Sequence, residues 1–319
     1  MAKKPTQKQK AAQTAQTASN NKKTIAKQID AALDEPLNAD APPTIYGTTL
    51  KPELATAALN LSVDFLKQQQ AAANKYAAWH PFNFMWITLV VAIYLGFNTT
   101  YPDFKEASSV TSWIFQYISM NMTEIGSSFL IFGISCSIFF TLFGRIINSL
   151  FSNKINVILK THGQDIFSLD LSTLMTGVSP NESNLIGNTH VIVYRDTPIS
   201  LISIKENKDL TTETKLVMDI TSLGSRKVYA KSGILEDLIK WAMLRTKDLR
   251  ANPKQNSMML LMDAYSFDHV TKEALRKCQF KMIESYKLDE SRIIGGILGA
   301  RKELWGLSFD FRPKAPSKN

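Results

Sequence analysis

HPFNFMWITLVVAIYLGFNTTYPD, residues 80–103, has no charged residue between His80 and Asp103, and EIGSSFLIFGISCSIFFTLFGR, residues 124–145, has none between Glu124 and Arg145. Each run is close to the roughly 20 residues that cross a hydrocarbon layer. Trp79, Trp86, Tyr94 and Tyr101 flank the first run, where amphipathic rings suit an interfacial belt. The pair predicts two transmembrane helices, a hairpin over 81–150 with a short lumenal loop. Between them, residues 107–122 are also uncharged, but Ser108, Ser109, Thr111, Ser112, Asn121 and Thr123 suit a segment lying on the membrane surface. Neither span carries an ionisable residue, so two spans alone make a poor transporter or proton relay.

Charge settles the expected orientation. Residues 1–81 hold ten Lys/Arg and six Asp/Glu; residues 98–124 hold one Lys and three acids; residues from 144 on hold 26 Lys/Arg and 19 acids. The basic residues of the outer flanks (Lys67, Lys75, Arg145, Lys154, Lys160) outnumber the single Lys of the connecting loop, which predicts both termini in the cytosol. The sequons beginning at Asn98 and Asn121 then face the lumen.

Residues 1–48 read as a disordered, basic, low-complexity arm without the apolar core of a signal peptide. Its lysines have no interleaved aromatic residues to stack on bases, so no nucleic acid is expected as a partner. Two cysteines, Cys136 and Cys278, make no disulfide framework. His80, His162, His190 and His269 are scattered, and no metal-binding motif appears.

Residues 49–80 predict a cytosolic amphipathic helix: Thr49 as cap, Pro52 in the first turn, and Leu54, Ala58, Leu61, Phe65 and Leu66 at helical spacing. Packing on protein suits its weakly charged polar face better than lying on lipid. In the second span Gly126, Gly133 and Ser137 share one helical face. Small residues let helices approach closely, either inside the hairpin or against a client protein. These three are the candidate client-contact residues.

A cytosolic α/β domain is expected over 151–312, with a tail at 313–319. Ile166–Leu171 alternates as a strand. From Val191 on, strands at 191–194, 199–204 and 215–223, a helix at 232–249, a strand at 258–262, a helix at 268–278 and strands at 280–288 and 304–311 give the order β-β-β-α-β-α-β-β. That order resembles the GNAT acetyltransferase fold, giving a fold class of membrane α-helical hairpin plus α+β domain with a GNAT-like mixed sheet. The resemblance implies an acetyl-coenzyme A loop at Gly224–Gly233, with Arg226, Lys227 and Lys231 near the anion. If Gly233 takes the first glycine of the motif, Ala230 replaces its Gln or Arg, and Leu235 replaces its second glycine. Leu275 stands where many members place a tyrosine general acid, and leucine transfers no proton.

Further motifs extend over most of the chain beyond residue 40: APPTIY (41–46), LKPELAT (50–56), FLKQQQ (65–70) and WHP (79–81). They resemble the fungal endoplasmic-reticulum phosphate-transporter chaperone family. The resemblance implies a resident membrane protein that helps a high-affinity inorganic phosphate permease leave the endoplasmic reticulum. It implies no catalytic residue and no cofactor; the partners are a polytopic transporter and the bilayer. The rival class is a membrane-anchored N-acetyltransferase using acetyl-coenzyme A.

Overall fold

The computed structural model describes residues 44–103, 109–174, 183–249 and 255–310. The expected arm lies outside these residues up to position 43, and so does the expected tail. Where the arm was to end, the chain instead forms strand β1 (Ile45–Thr49). Residue Thr49, expected as a helix cap, is the last of this strand. A single turn at Pro52–Leu54 leads into α1 (Ala55–Ala78).

Helix α2 (Pro81–Asn98) starts where Pro81 fits the first turn and the His80 ring accepts a hydrogen bond from the Phe82 amide. Helix α3 (Val110–Met120) is capped by Ser109, and only Asn121 separates it from α4 (Met122–Lys160). Asn121 is buried. Its side-chain oxygen accepts from the Thr100 amide at 2.8 Å, and its amide group donates to the carbonyls of Thr100 and Tyr117. This residue therefore ties the loop together, which leaves its sequon's amide engaged.

Among the described residues two helices are long and apolar enough to cross a membrane, α2 and α4. The second does not stop where charge returns at Arg145. Its 39 residues continue to Lys160 as one rod, roughly 58 Å at 1.5 Å per residue. The lower half packs beside α1, where Gln70 donates to Asn148 at 3.0 Å.

The short helices α5 (Gln164–Phe167), α6 (Leu171–Leu174) and α7 (Ser183–Ile186) come next. They replace the strand expected at Ile166–Leu171. Gly163 and Ser168 take left-handed backbone angles (φ 79° and 58°), which no extended strand accommodates. The alternation instead buries Ile166, Phe167, Leu169 and Leu171 beneath α1. Ser203 and Thr221 fasten this turn by donating to the Ile166 carbonyl.

Strands β2 (Thr189–Tyr194), β3 (Thr197–Glu206) and β4 (Lys215–Ser225), helix α8 (Ile234–Asp248), strand β5 (Ser257–Tyr265), helix α9 (His269–Lys277), strand β6 (Lys281–Lys287), helix α10 (Arg292–Gly296) and strand β7 (Arg301–Asp310) complete the chain. The seven strands form one mixed sheet in the order β1-β2-β3-β4-β5-β7-β6. Among the described strands only β4 and β5 are parallel, joined through α8. Their pairing runs from Lys215 opposite Ser257 to Ile220 opposite Met262 and stops there, although both strands continue.

Strand β1 pairs with β2, Ile45 opposite Tyr194 and Thr49 opposite His190. The two apolar helices are therefore an insertion within the sheet domain: its first strand precedes them and the other six follow. Gly47 permits this edge, because a Cβ there would strike the His190 ring, itself stacked on Trp241 at 4.7 Å. Burial lowers the pKa of His190. On one face α8 and α9 cover the sheet through Leu238, Ile239 and Leu275. On the other, α1 seats Leu61 and Phe65, the ring of Phe65 occupying the space over Gly224 that any larger residue would fill. A third cluster joins Ala73, Ala77, Phe143, Ile147 and Phe151 to Tyr265, Phe267, Leu288, Ile294 and Leu298.

Candidate functional site

Two features stand out. The first is the outer face of α4. Gly126, Gly133 and Ser137 are all exposed, and a Cβ added at either glycine would meet no atom within 4 Å. At 3.6 residues per turn they lie within roughly 40° of one another, while the buried Ser128 and Phe143 point roughly 100–160° away. The hairpin's own packing does not use the small residues. Sequence reasoning left that open, because spacing shows a shared face but not which way it points.

The second is a cavity of about 1230 Å³ between the sheet, α1 and the lower half of α4. Helical spacing puts Ile146, Leu150 and Lys154 on the face of α4 that roofs it, and α1 adds Phe65 and Leu66. The floor comes from the other side of the diverging strands: Asp219, Thr221 and, past the β4 bulge, Ser222 from β4, and Leu261, Asp263 and Tyr265 at alternate positions of β5.

Most of the wall is apolar, with one polar row. Asp263 is satisfied twice: Tyr286 donates to it at 2.9 Å and Lys302 pairs with it at 2.7 Å. Burial and this hydrogen bond push the Tyr286 phenol up to about 12. Lys154 contacts the Tyr265 hydroxyl and pairs with Glu290 at 2.6 Å. Burial raises the Tyr265 pKa against the pull of Lys154. Asp219 has one side-chain partner, the amide of Asn207 at 2.8 Å. Burial raises its carboxyl pKa, and the Asp263 charge adds to the effect.

This arrangement suits binding: an apolar trough with a carboxylate held by a single amide. Among the described residues no group of His, Cys, Asp and Glu is placed to hold a metal ion. The sequence reading missed these residues. A signal was present, since Met218-Asp219 and Met262-Asp263 each place an acid inside an apolar run, and the two runs pair in parallel.

A pH test follows for Asp219. Its raised native pKa means that protonation favours the folded state. That contribution is complete below the ordinary carboxyl range and is lost as pH rises through the native pKa. Asp219→Asn keeps an acceptor for Asn207 and cannot ionise. Thermal unfolding in mild detergent should show little difference from the parent near pH 4 and a more stable variant near pH 8, the gap opening between. A constant gap at all pH values contradicts this assignment.

The other anticipated positions are placed as follows. Gly233 takes φ 84° just before α8, with Lys227 and Lys231 exposed beside it. Leu275 is fully buried in the core under α9. Cys136 and Cys278 are free and half-buried.

Comparison with curated proteins returns no match. Solved structures align in part. Arabidopsis thaliana Naa50 is 15% identical over 38% of this chain and 72% of its own, at a TM-score of 0.30. A GNAT-family acetyltransferase from Streptococcus pneumoniae is 9% identical over 83% and 99%, at 0.33. Arabidopsis thaliana NAA60 is 14% identical over 48% and 91%, at 0.31. A family model described as inorganic phosphate transporter chaperone Pho86 matches residues 27–309, on both sides of and through the two apolar helices. With nearly its whole length matched, the chain belongs to the Pho86 family of inorganic phosphate transporter chaperones.

Proposed function

We propose that the chain is a chaperone of the endoplasmic reticulum membrane that binds an inorganic phosphate transporter and promotes its folding or exit, without catalysis. The carrying observation is the bare small-residue face of α4, at Gly126, Gly133 and Ser137, on a helix that runs unbroken into the sheet domain. A transmembrane helix of the client packs on that face, where close approach and dispersion drive association in lipid. The cytosolic domain, GNAT-like in its strand order, adds the cavity over Asp219 for a client segment outside the membrane.

Several features support the membrane reading. Phe129, Leu130, Ile134 and Ile138 each keep 60% or more of their surface exposed, a face that water does not tolerate and lipid does. Basic residues crowd both flanks of the hairpin and its loop holds Lys105 alone, which favours cytosolic termini. Acting by binding fits the place of Leu275: where the acetyltransferase resemblance calls for a proton donor, the side chain is aliphatic and inside the core. The experiment is to compare wild type and Gly133→Leu for transporter co-purification and surface delivery, as argued below.

A further inference from the structure

All the strand ends that face the hairpin lie at one end of the sheet. The strand directions place the β2–β3 turn, the exit of β4, the exit of β5 and the 288–300 segment together there. Helix α1 climbs toward this end. Gln68 donates to the Ser225 carbonyl, Gln69 to Asp268, and Tyr76 to the Leu298 carbonyl at 2.6 Å, one contact after another along the helix. Pro81, where the apolar stretch begins, lies five residues beyond Tyr76. On α4, Phe143, at the end of the uncharged run, buries against the same cluster as Ile294 and Leu298. If α2 and α4 span a bilayer, this end of the domain meets its surface.

Its exposed residues fit that position. Ile293 on α10 and Ile297 at its C-terminal cap, four residues apart, are 39% and 44% exposed, while their neighbours Ile294 and Leu298 are buried. Val228 projects from the loop after β4 at 87% exposure, and Ile45 and Val270 are also uncovered at this end. Around them stand Lys227, Lys231, Lys287, Arg292 and Arg301, none paired with a carboxylate among the described residues.

Arg195 and Arg226 each enclose an Nε that has no hydrogen-bond partner. Tyr229, packed edge-on to Tyr194 at 6.0 Å, draws their two loops together.

Most acids here are engaged: Asp268 caps α9, Glu290 pairs with Lys154, Glu236 with Lys277 and Asp237 with Lys240. Asp196 and Asp289 are exposed. The opposite end alternates in sign through Glu206, Lys208 and Asp209.

We infer that this end of the sheet docks on the anionic phospholipid surface, with Val228, Ile293 and Ile297 inserted among headgroups and the surrounding cations on lipid phosphates. The inference rests on the hairpin reading above. Docking fixes the height and tilt of the cavity relative to the bilayer, so that client segments emerging from the membrane meet it directly.

The test uses full-length protein with Cys136 and Cys278 replaced by Ala, reconstituted in nanodiscs of phosphatidylcholine with or without phosphatidylserine. Nitroxides are placed at Val228→Cys, Ile297→Cys, Leu210→Cys at the opposite end, and Ile134→Cys in the second apolar helix. Collision with oxygen and with a water-soluble nickel chelate reads depth. The expected result is a lipid-like signal at 134, and at 228 and 297 a several-fold lower nickel accessibility than at 210, more so with phosphatidylserine. Sites 228 and 297 as open to nickel as 210, with 134 in lipid, overturn the docking and leave the hairpin intact. Equal protection in both lipids overturns the role of the anionic headgroup. An aqueous signal at 134 removes the hairpin and the docking with it.

Discussion

Residues 151–310 expressed alone should not fold. They lack β1, α1 and α4 before Phe151, so Val191, Val193 and Leu201 lose Leu50, Leu61 and Phe65, and Tyr265, Phe267 and Leu298 lose Ala77, Phe143 and Ile147. Truncating one buried Leu or Phe to Ala costs about 2–5 kcal/mol. Losing three such side chains outright matches or exceeds the roughly 5–15 kcal/mol that holds a domain together.

The complementary chain should fold. Joining residues 44–79 to 143–310 removes the hairpin and keeps every layer of the sheet domain. Ala77 and Phe143 share a cluster, and packed helices lie about 8–10 Å apart, so roughly six Gly/Ser residues close the gap. Circular dichroism and thermal unfolding should show a cooperative α/β protein for the joined chain and no cooperative transition for the fragment. A folded fragment, or a joined chain that never folds, refutes the inserted-hairpin architecture.

The contrast between the fragment and the joined chain marks what was legible in the sequence. Long patterns were readable: two uncharged runs, the helix ending before Pro81, and, apart from the five-residue α10, the strand and helix order from Val191 onward. Each is set by local hydrophobic periodicity. Strand β1 was not readable, because IYGTT holds five residues, one of them a glycine required by His190, a partner 143 positions away. The segment Ile166–Leu171 misled for the opposite reason. Its alternation is real, but Gly163 and Ser168 bend the backbone so that the apolar residues cap a helix instead of filling a strand. The α4 rod was cut short at residue 150, just past the return of charge at Arg145, since charge marks where lipid ends and not where a helix does. Of the site, Gly126, Gly133 and Ser137 came from spacing alone. The cavity did not, because it depends on where β4 and β5 separate and on how α4 crosses over them.

Gly133→Leu should leave a stable, correctly inserted protein that no longer serves the transporter. A Cβ at Gly133 meets nothing within 4 Å, so the new side chain fits without disturbing the hairpin. Leucine is also the better helix former and keeps the run apolar, so neither insertion nor helicity suffers. What changes is the closest approach of a second helix. Small residues set short interhelical distances, and a leucine in the contact forfeits the packing that substitutes for the hydrophobic effect inside lipid. Transporter recovered with the chaperone in mild detergent should fall at least tenfold, about 1.4 kcal/mol of binding, and surface delivery of the transporter should fall with it. Ile138→Leu, an exchange at an exposed position that is already bulky, is the matched control and should behave as wild type. Gly126→Leu should reproduce the defect, because Gly126 lies two turns along the same face. Should Gly133→Leu insert, retain the transporter and support its delivery, recognition does not run through α4, and the cavity over Asp219 becomes the surface to mutate next.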